Sequence, residues 1–213
     1  MAIGPPTDAE RAFHRAALRK DAALDDADVA AIEPHLRTCR LARGASFLRP
    51  GDRAVWCGTI VAGVTRELYP LEDGREVTRG FAGPGDYVGS LSDLLTDAPA
   101  RSSVVAEADA VIVVVPWARI REVAARPAWA ALLARVTEKL YLAKAEREYE
   151  LLALDAAARY QRFRARYAAL EPHIAQRHVA SYIGVTPEHL SRLRRKLGAA
   201  GTSARPGSRA RSR

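Results

Sequence analysis

The sequence predicts an α+β fold with a small β-roll, a long helix after it, and two short helices near the C-terminus. Three observations support this. Glycine and aspartate punctuate short β-rich segments over residues 41–116, residues 129–154 carry a helical apolar stripe, and residues 176–197 have the pattern of two helices about a tight turn. Short strands with regular turn signals are typical of a small sandwich or barrel.

The first forty residues predict a loose start followed by helix. Alanine, leucine, aspartate and arginine dominate residues 1–40, and Pro34 breaks the run. His35 and Cys39 are four residues apart, so on a helix they would share a face and could form a metal or haem ligand pair. Because no third ligand is nearby, a surface histidine and a small buried thiol are the favoured interpretation.

The β-rich region has two clear local signals. Asp73-Gly74 lies between residues 64–71 and residues 76–81, and this dipeptide predicts a hairpin with a type I′ turn. Residues 110–115 are a continuous, mostly β-branched run, which predicts a buried strand.

Residues 117–154 return to a helical pattern. Its apolar positions include a 3-4-3 spacing, which is typical of the seam of a two-helix coiled coil. The residues of this predicted seam are Leu133, Val136, Leu140 and Ala143. The alternative is a helix that packs only on its own domain. A homodimer seam is favoured, because a long helix between two compact regions often lacks enough partner surface in its own chain.

Residues 176–197 match the pattern of a helix-turn-helix, which places its second helix in the major groove of DNA. Gly184 permits a positive φ at the turn, Thr186 is a good N-cap, and Pro187 suits the first helical position. Gly198 is predicted to end the helix. A helical hairpin with a solvated basic face has the same pattern. The residues predicted to contact DNA are Thr186, Glu188, His189, Ser191, Arg192 and Arg195.

A further helix is predicted over residues 155–175, with Asp155 as its N-cap and Pro172 as its stop. Positive charge is concentrated from this helix onward. The net charge is +8, and residues 159–213 hold 13 Lys/Arg and 2 Asp/Glu, so they carry +11 and residues 1–158 carry −3. A basic end on a mildly acidic body is typical of a protein that binds a polyanion.

Several classes of protein are not expected. Two cysteines, Cys39 and Cys57, argue against a disulfide framework and suit a reducing cytosol. The N-terminus has no signal-like apolar stretch, and residues 110–117, the longest strongly apolar run, are too short to span a bilayer. We therefore expect a soluble cytoplasmic protein with no membrane partner. Because no nucleophile–base pair, metal cluster or phosphate-transfer loop is evident, we expect neither an enzyme nor a bound metal.

The order of these elements resembles the bacterial cyclic-AMP receptor protein/fumarate-nitrate regulator (Crp/Fnr) family of transcription factors. The resemblance covers about residues 41–197. It rests on Pro50-Gly51-Asp52, Asp73-Gly74-Arg75-Glu76, Pro84-Gly85-Asp86-Tyr87-Val88-Gly89, Arg101-Ser102, and Ile183-Gly184-Val185-Thr186 with Leu190-Ser191-Arg192.

This resemblance implies four parts along the chain. Residues 1–128 would form an effector domain like the cyclic-nucleotide-binding jelly roll, and residues 129–154 a dimerisation helix. Residues 155–197 would form a helix-turn-helix DNA-binding domain. Residues 198–213 have no strand pattern, so we expect a disordered basic tail there in place of the β-wing of many relatives.

In the recognition helix, Glu188 and Arg192 match the family positions that read bases. Arginine can bind guanine O6 and N7 together, and a carboxylate accepts from cytosine N4. Pro187 stands where the family often has arginine, so one contact is missing. The resemblance implies a homodimer that reads a palindromic site in double-stranded DNA, with RNA polymerase as a further partner. The alternative function is a ligand-binding module whose helix-turn-helix contacts a protein.

The resemblance also implies a small effector. Gly89 and Arg101-Ser102 match the phosphate-binding residues of the cyclic-nucleotide pocket, although a structural salt bridge is an equal alternative for Arg101. Ser90 stands where cyclic-AMP binders carry the carboxylate for the ribose. Lys144 and Ala145 replace the hydroxyl residues that would meet adenine. The effector-binding residues are therefore predicted as Gly89, Ser90, Arg101 and Ser102. The resemblance allows a cyclic nucleotide as effector, these departures argue against cyclic AMP, and the identity of the effector stays open. No iron–sulfur cluster is expected, because the N-terminus has no cysteine cluster.

Overall fold

A β-roll of two antiparallel sheets is flanked by helices and followed by a helical C-terminal unit. The computed structural model describes residues 2–202. The strands in this range are β1 (Ala2–Gly4), β2 (Arg37–Leu41), β3 (Ser46–Leu48), β4 (Trp56–Ala62), β5 (Thr65–Pro70), β6 (Glu76–Ala82), β7 (Tyr87–Val88), β8 (Ser103–Ala106) and β9 (Ala110–Pro116). The helices are α1 (Asp8–Asp21), α2 (Asp26–Ala30), α3 (Leu91–Thr96), α4 (Trp117–Val123), α5 (Pro127–Ala153), α6 (Ala156–Arg166), α7 (Gln176–Ile183) and α8 (Pro187–Thr202).

The two sheets enclose one core of the roll. Sheet A has the strand order β1-β2-β9-β4-β7, and sheet B has the order β3-β8-β5-β6. Ile60 and Ile112 of sheet A pack with Leu48 and Val104 of sheet B. Strand β9 is central, and its alternate residues belong to this core and to a second core under α1, α4 and α5. Burial on both faces explains its continuous apolar sequence, so the predicted buried strand is confirmed.

The prediction for the first forty residues is wrong in part. Strands β1 and β2 pair at one edge of sheet A, and β2 also pairs with β9, where Cys39 lies opposite Ile112. His35 lies in a 3-10 turn and Cys39 in a strand, so the two do not share a helix face. Long-range pairing with β9 decides the conformation here, and a local reading of the sequence does not contain that partner.

The predicted β5–β6 hairpin is present, but its turn is not type I′. Gly74 N–H donates to the Leu71 carbonyl, and Leu71 N–H donates to the Arg75 carbonyl. Gly74 has φ +81°, whereas Asp73 is not among the described residues with positive φ. A type I′ turn requires positive φ at both central residues, so this is a type I turn followed by a glycine bulge.

The helical boundaries also differ from the prediction. Pro127 begins α5, two residues before the predicted start of the long helix at residue 129, and the shorter helix α4 precedes it. The carboxylate of Asp155 accepts from Ala158 N–H at 2.8 Å, which confirms Asp155 as an N-cap. Helix α6 ends at Arg166, before the stop predicted at Pro172.

The last helix runs past its predicted end. Helix α8 continues to Thr202, so Gly198 does not stop it and the predicted tail begins inside the helix. A glycine inside a helix costs about 1 kcal/mol relative to alanine, which does not by itself end the helix. The rest of the predicted tail, and any wing, lie outside the described residues. None of the helices over residues 2–202 is both long and apolar enough to cross a membrane.

Candidate functional site

Helices α7 and α8 meet at a tight corner that occupies the predicted helix-turn-helix stretch. Gly184 ends α7 with φ +73°, a conformation that suits glycine. Thr186 caps α8, because its Oγ1 accepts from His189 N–H at 3.2 Å. Val179 and Leu190 are buried between the two helices and fix their crossing.

The six residues predicted to contact DNA all lie on the exposed face of this corner. They are Thr186, Glu188, His189, Ser191, Arg192 and Arg195. The pKa of Glu188 is lowered, first by a hydrogen bond with its own backbone N–H and then by the Thr186 side chain. Glu188 is therefore a carboxylate at neutral pH, which is the form that accepts hydrogen bonds from cytosine.

The inner side of the corner packs against the β-roll. Strand β6 is the edge strand of sheet B, and α7 covers it. Thr78 N–H donates to Ser181 Oγ at 2.9 Å, and the Ser181 hydroxyl donates to the Glu76 carbonyl at 2.8 Å. The Ser181 side chain thus satisfies edge groups of a strand that pairs with no further strand of residues 2–202 on that side.

Aromatic side chains fill the space between the roll and the C-terminal helices. Phe81 of β6 lies 6.0 Å from Phe163, 5.4 Å from Tyr167 and 5.8 Å from Tyr182, measured between ring centroids. These separations are typical of favourable aromatic pairs. The C-terminal unit is therefore held on the roll by a packed core as well as by polar contacts.

A buried charge network lies beside this aromatic core. The Glu107 carboxylate is 2.6 Å from His178 Nδ1 and 2.7 Å from Arg66 Nε. Arg66 also reaches Glu76 Oε2 at 2.7 Å. Burial by itself raises the pKa of Glu107, but the hydrogen bond and charge of His178, the charge of Arg66 and a hydrogen bond from the Ala175 backbone together outweigh it and lower that pKa overall. Since His178 is on α7, the network links that helix to strands β5 and β6.

A second buried carboxylate joins the long helix to the C-terminal unit. Glu150 of α5 is 1% exposed and lies 3.2 Å from one guanidinium nitrogen each of Arg147 and Arg166. Arg166 donates to the Tyr182 hydroxyl at 3.0 Å. Neither Glu150 nor Arg147 is among the site residues predicted from the sequence. The sequence does hold one signal for this ion pair: Arg147 and Glu150 are three residues apart, which puts their side chains next to each other on a helix.

A large cavity of about 760 Å³ lies between the β-roll, α5 and the segment after α6. Its walls include Glu67 of β5, residues 80–89, Leu140 and Ala143 of α5, and Tyr167 beyond α6. Of the four predicted effector-binding residues, Gly89 is in this wall.

The other three predicted effector-binding residues are placed differently. Ser90 is buried and donates to Asp93 Oδ2 at 2.7 Å. Ser102 is buried and donates to Glu67 Oε1 at 3.1 Å, and Glu67 is also paired with Arg79. Arg101 is exposed and does not line the cavity. A carboxylate therefore lies beside Ser102 where a phosphate was expected, and the phosphate role of these residues stays a prediction.

The predicted dimer seam is divided between buried and exposed positions. Leu133 and Val136 are half-buried against the core of their own chain, whereas Leu140 and Ala143 are exposed. Several large apolar side chains are also exposed on the C-terminal half of α5: Tyr141, Leu142, Tyr149, Leu151 and Leu152. Lys144 and Ala145, which the resemblance aligns with the adenine contacts, are exposed as well.

No group of three or more His, Cys, Asp or Glu side chains within residues 2–202 is arranged to hold a metal ion.

Residues 38–126 match the family model of the cyclic nucleotide-binding domain. A comparison of the sequence with curated proteins finds no significant match.

Solved structures share this architecture. FixK2 from Bradyrhizobium japonicum has a TM-score of 0.67 and 22% identity over 77% of this chain and 85% of its own. The c-di-GMP-responsive regulator CLP from Xanthomonas campestris has a TM-score of 0.66 and 19% identity, over 83% and 93%. A protein assigned to the Crp/Fnr family of regulators, from Eubacterium rectale, has a TM-score of 0.65 and 16% identity, over 84% and 86%. The β-roll, the long helix and the resemblance to Crp/Fnr regulators are thereby confirmed at the level of the fold.

Proposed function

We propose that the chain is a homodimeric, sequence-specific DNA-binding transcription regulator of the Crp/Fnr kind. The observation that carries this proposal is the two-sided character of α8. Leu190 and the aromatic core hold its inner side, and its outer side exposes Glu188, Arg192 and Arg195. Side chains of this kind, on the N-terminal turns of a helix, suit base edges in the major groove.

The charge distribution supports the same proposal. Residues 159–213 carry a net charge of +11 on a body of −3. Lysine and arginine near a duplex release condensed counterions, which supplies affinity and makes it fall steeply with salt. In the proposed dimer, the exposed part of α5 packs against its partner, and the two α8 helices lie about 34 Å apart on a palindromic site.

A salt titration of DNA binding tests the proposal. We expect the logarithm of the binding constant to fall linearly with the logarithm of salt concentration, and the preferred duplex to bind on the order of 10³-fold or more tightly than a scrambled one. Arg121→Ala is the control for Arg192→Ala, because it removes the same charge from the exposed surface of α4, outside the C-terminal helices. It should keep both the salt dependence and the preference for one duplex. Equal affinity for all duplexes would contradict sequence-specific regulation and favour a protein partner for α7 and α8.

A further inference from the structure

A smaller cavity of about 120 Å³ lies between sheet A and helices α1, α4 and α5. Its lining is mostly apolar, and includes Leu18, Ile32 and Leu132. It adjoins the larger cavity, since Tyr87 and Leu140 line both. Gly89 also lines both cavities, and the resemblance assigns no ligand contact to the other residues of the smaller one.

Two polar side chains in this wall, His14 and Trp117, each have a buried nitrogen that lacks a hydrogen-bond partner within residues 2–202. His14 is 3% exposed, and its Nδ1 lies 3.0 Å from Thr59 Oγ1. Its Nε2 is buried and has no hydrogen-bond partner among residues 2–202. Leaving a buried nitrogen without a partner is unfavourable, so such a group favours a ligand that can satisfy it. Burial lowers the pKa of His14 to about 4, so the ring is neutral at pH 7.

The chemistry of a neutral imidazole selects the polar group of the ligand. If Nδ1 carries the proton, Nε2 accepts a hydrogen bond, and if Thr59 donates to Nδ1, Nε2 donates. A hydroxyl group fits both tautomers, because it can donate and accept. A charged ligand group is disfavoured in so apolar a cavity.

The size of the cavity selects the rest of the ligand. An apolar protein cavity of about 150 Å³ holds one benzene molecule, so a single ring is the upper limit of ligand size for a cavity of about 120 Å³. We propose that the cavity binds an uncharged single-ring aromatic alcohol of the size of phenol, with its hydroxyl on His14 Nε2 and its ring among the apolar side chains. Trp117 and Trp129, which line the cavity, supply aromatic faces and edges for such a ring.

The position of this cavity would couple a ligand to the long helix. Leu133, Val136 and Leu140 of α5 line it, and these residues belong to the predicted dimer seam. An effect of the ligand on DNA binding rests on the proposed function. Binding of the ligand does not, because it depends on the β-roll and α5 of one chain.

Three tryptophans give a direct test on the unmodified chain. Trp117 and Trp129 line the cavity, whereas Trp56 packs in the core between the two sheets. In ¹⁵N-labelled protein, phenol should shift the indole signals of Trp117 and Trp129 in a saturable way, with a Kd on the order of 0.1–1 mM. The Trp56 signal should stay in place. No saturable shift, or an equal shift of Trp56, would overturn the proposal.

A variant tests the hydroxyl contact. Toluene has nearly the shape of phenol without its hydroxyl, so the ratio of the two affinities isolates the hydrogen bond. We expect His14→Leu to lower the phenol-to-toluene affinity ratio about tenfold; an unchanged ratio would exclude the His14 contact. If this variant does not fold, the tryptophan signals of the unmodified chain still decide. A chain that binds phenol but no DNA would keep this inference and refute the proposed function.

Discussion

The guanidinium of Arg147 lies over the ring of Tyr182, with its Cζ 3.9 Å from the ring centroid. Arg147 is on α5 and Tyr182 is on α7, so this cation–π contact joins the long helix directly to the helix before the turn. Arg147 also donates to the Tyr182 backbone carbonyl. A displacement of α5 must therefore move α7 or break these contacts. Because α7 packs against α8, moving α7 would also shift the exposed face of α8.

Glu150→Gln should destabilise this junction. The side chain of Glu150 is 2% exposed and faces Arg147 and Arg166, so the amide would leave two guanidinium groups without their shared carboxylate. Because Arg166 is one-third exposed and partly solvated, we expect a loss near the lower end for a broken buried pair, about 3 kcal/mol in the free energy of unfolding.

Urea unfolding of matched variants measures this effect. Glu146→Gln is the control, because Glu146 is one turn away on α5 and its pair with Arg162 is more than 40% exposed on both sides. Exposed pairs contribute little, so the control should lose less than about 1 kcal/mol. Equal losses in the two variants would show that Glu150 has no special role.

His14 should make the stability of the roll fall in mild acid. Burial lowers its pKa from an ordinary 6.5 to about 4. At pH values between 4 and 6.5, His14 binds a proton in the unfolded chain but not in the folded chain. The free energy of unfolding should therefore fall as pH drops from about 6.5 to 4, by about 3 kcal/mol for this group. His14→Leu should lack this component in urea unfolding at several pH values, and parallel pH profiles for the two chains would contradict it.

Leu140→Glu should weaken the proposed dimer. Leu140 is 40% exposed on α5 in the single chain, and a carboxylate in an apolar seam would be desolvated without a partner. Sedimentation equilibrium should show a dissociation constant raised by tenfold or more. Leu95→Glu is the control, since Leu95 is 65% exposed on α3, outside the long helix. A dimer that survives Leu140→Glu unchanged would place the seam elsewhere.

The turns, caps and patterned strands and helices of this chain could be predicted because each depends on residues that are close in sequence. The hairpin at Asp73-Gly74, the strand over residues 110–115 and the Asp155 cap depend on neighbours in sequence. The second helix of the C-terminal corner has the exposed and buried residues that its pattern predicts.

The parts that could not be predicted depend on distant partners. Cys39 lies in a strand because β9 pairs with β2, and Glu150 is buried because Arg166 and Tyr182 fold back over it. The packing of α7 on β6 through Ser181 could likewise not be predicted from the sequence. The resemblance to known regulators predicted a phosphate beside Ser102. It could not predict that a carboxylate of this chain, Glu67, bonds that hydroxyl.

Arg192→Ala should relax base preference without abolishing binding. Arg192 is exposed on α8 at a position that the resemblance assigns to base reading. Losing one bidentate contact to guanine should cost about 1–3 kcal/mol on the preferred site and less on other sites. Competition binding against duplexes substituted one base pair at a time measures this change. An identical preferred sequence, bound with the same selectivity, would remove Arg192 from that role.

Selection of bound duplexes from a random pool tests the central claim most directly. For a homodimer that reads DNA through α8, the full chain should enrich a two-fold symmetric sequence whose half-sites are centred about 10 base pairs apart. The Leu140→Glu variant should enrich it less at the same protein concentration. Enrichment of no sequence, or of a single unrepeated half-site, would contradict the account.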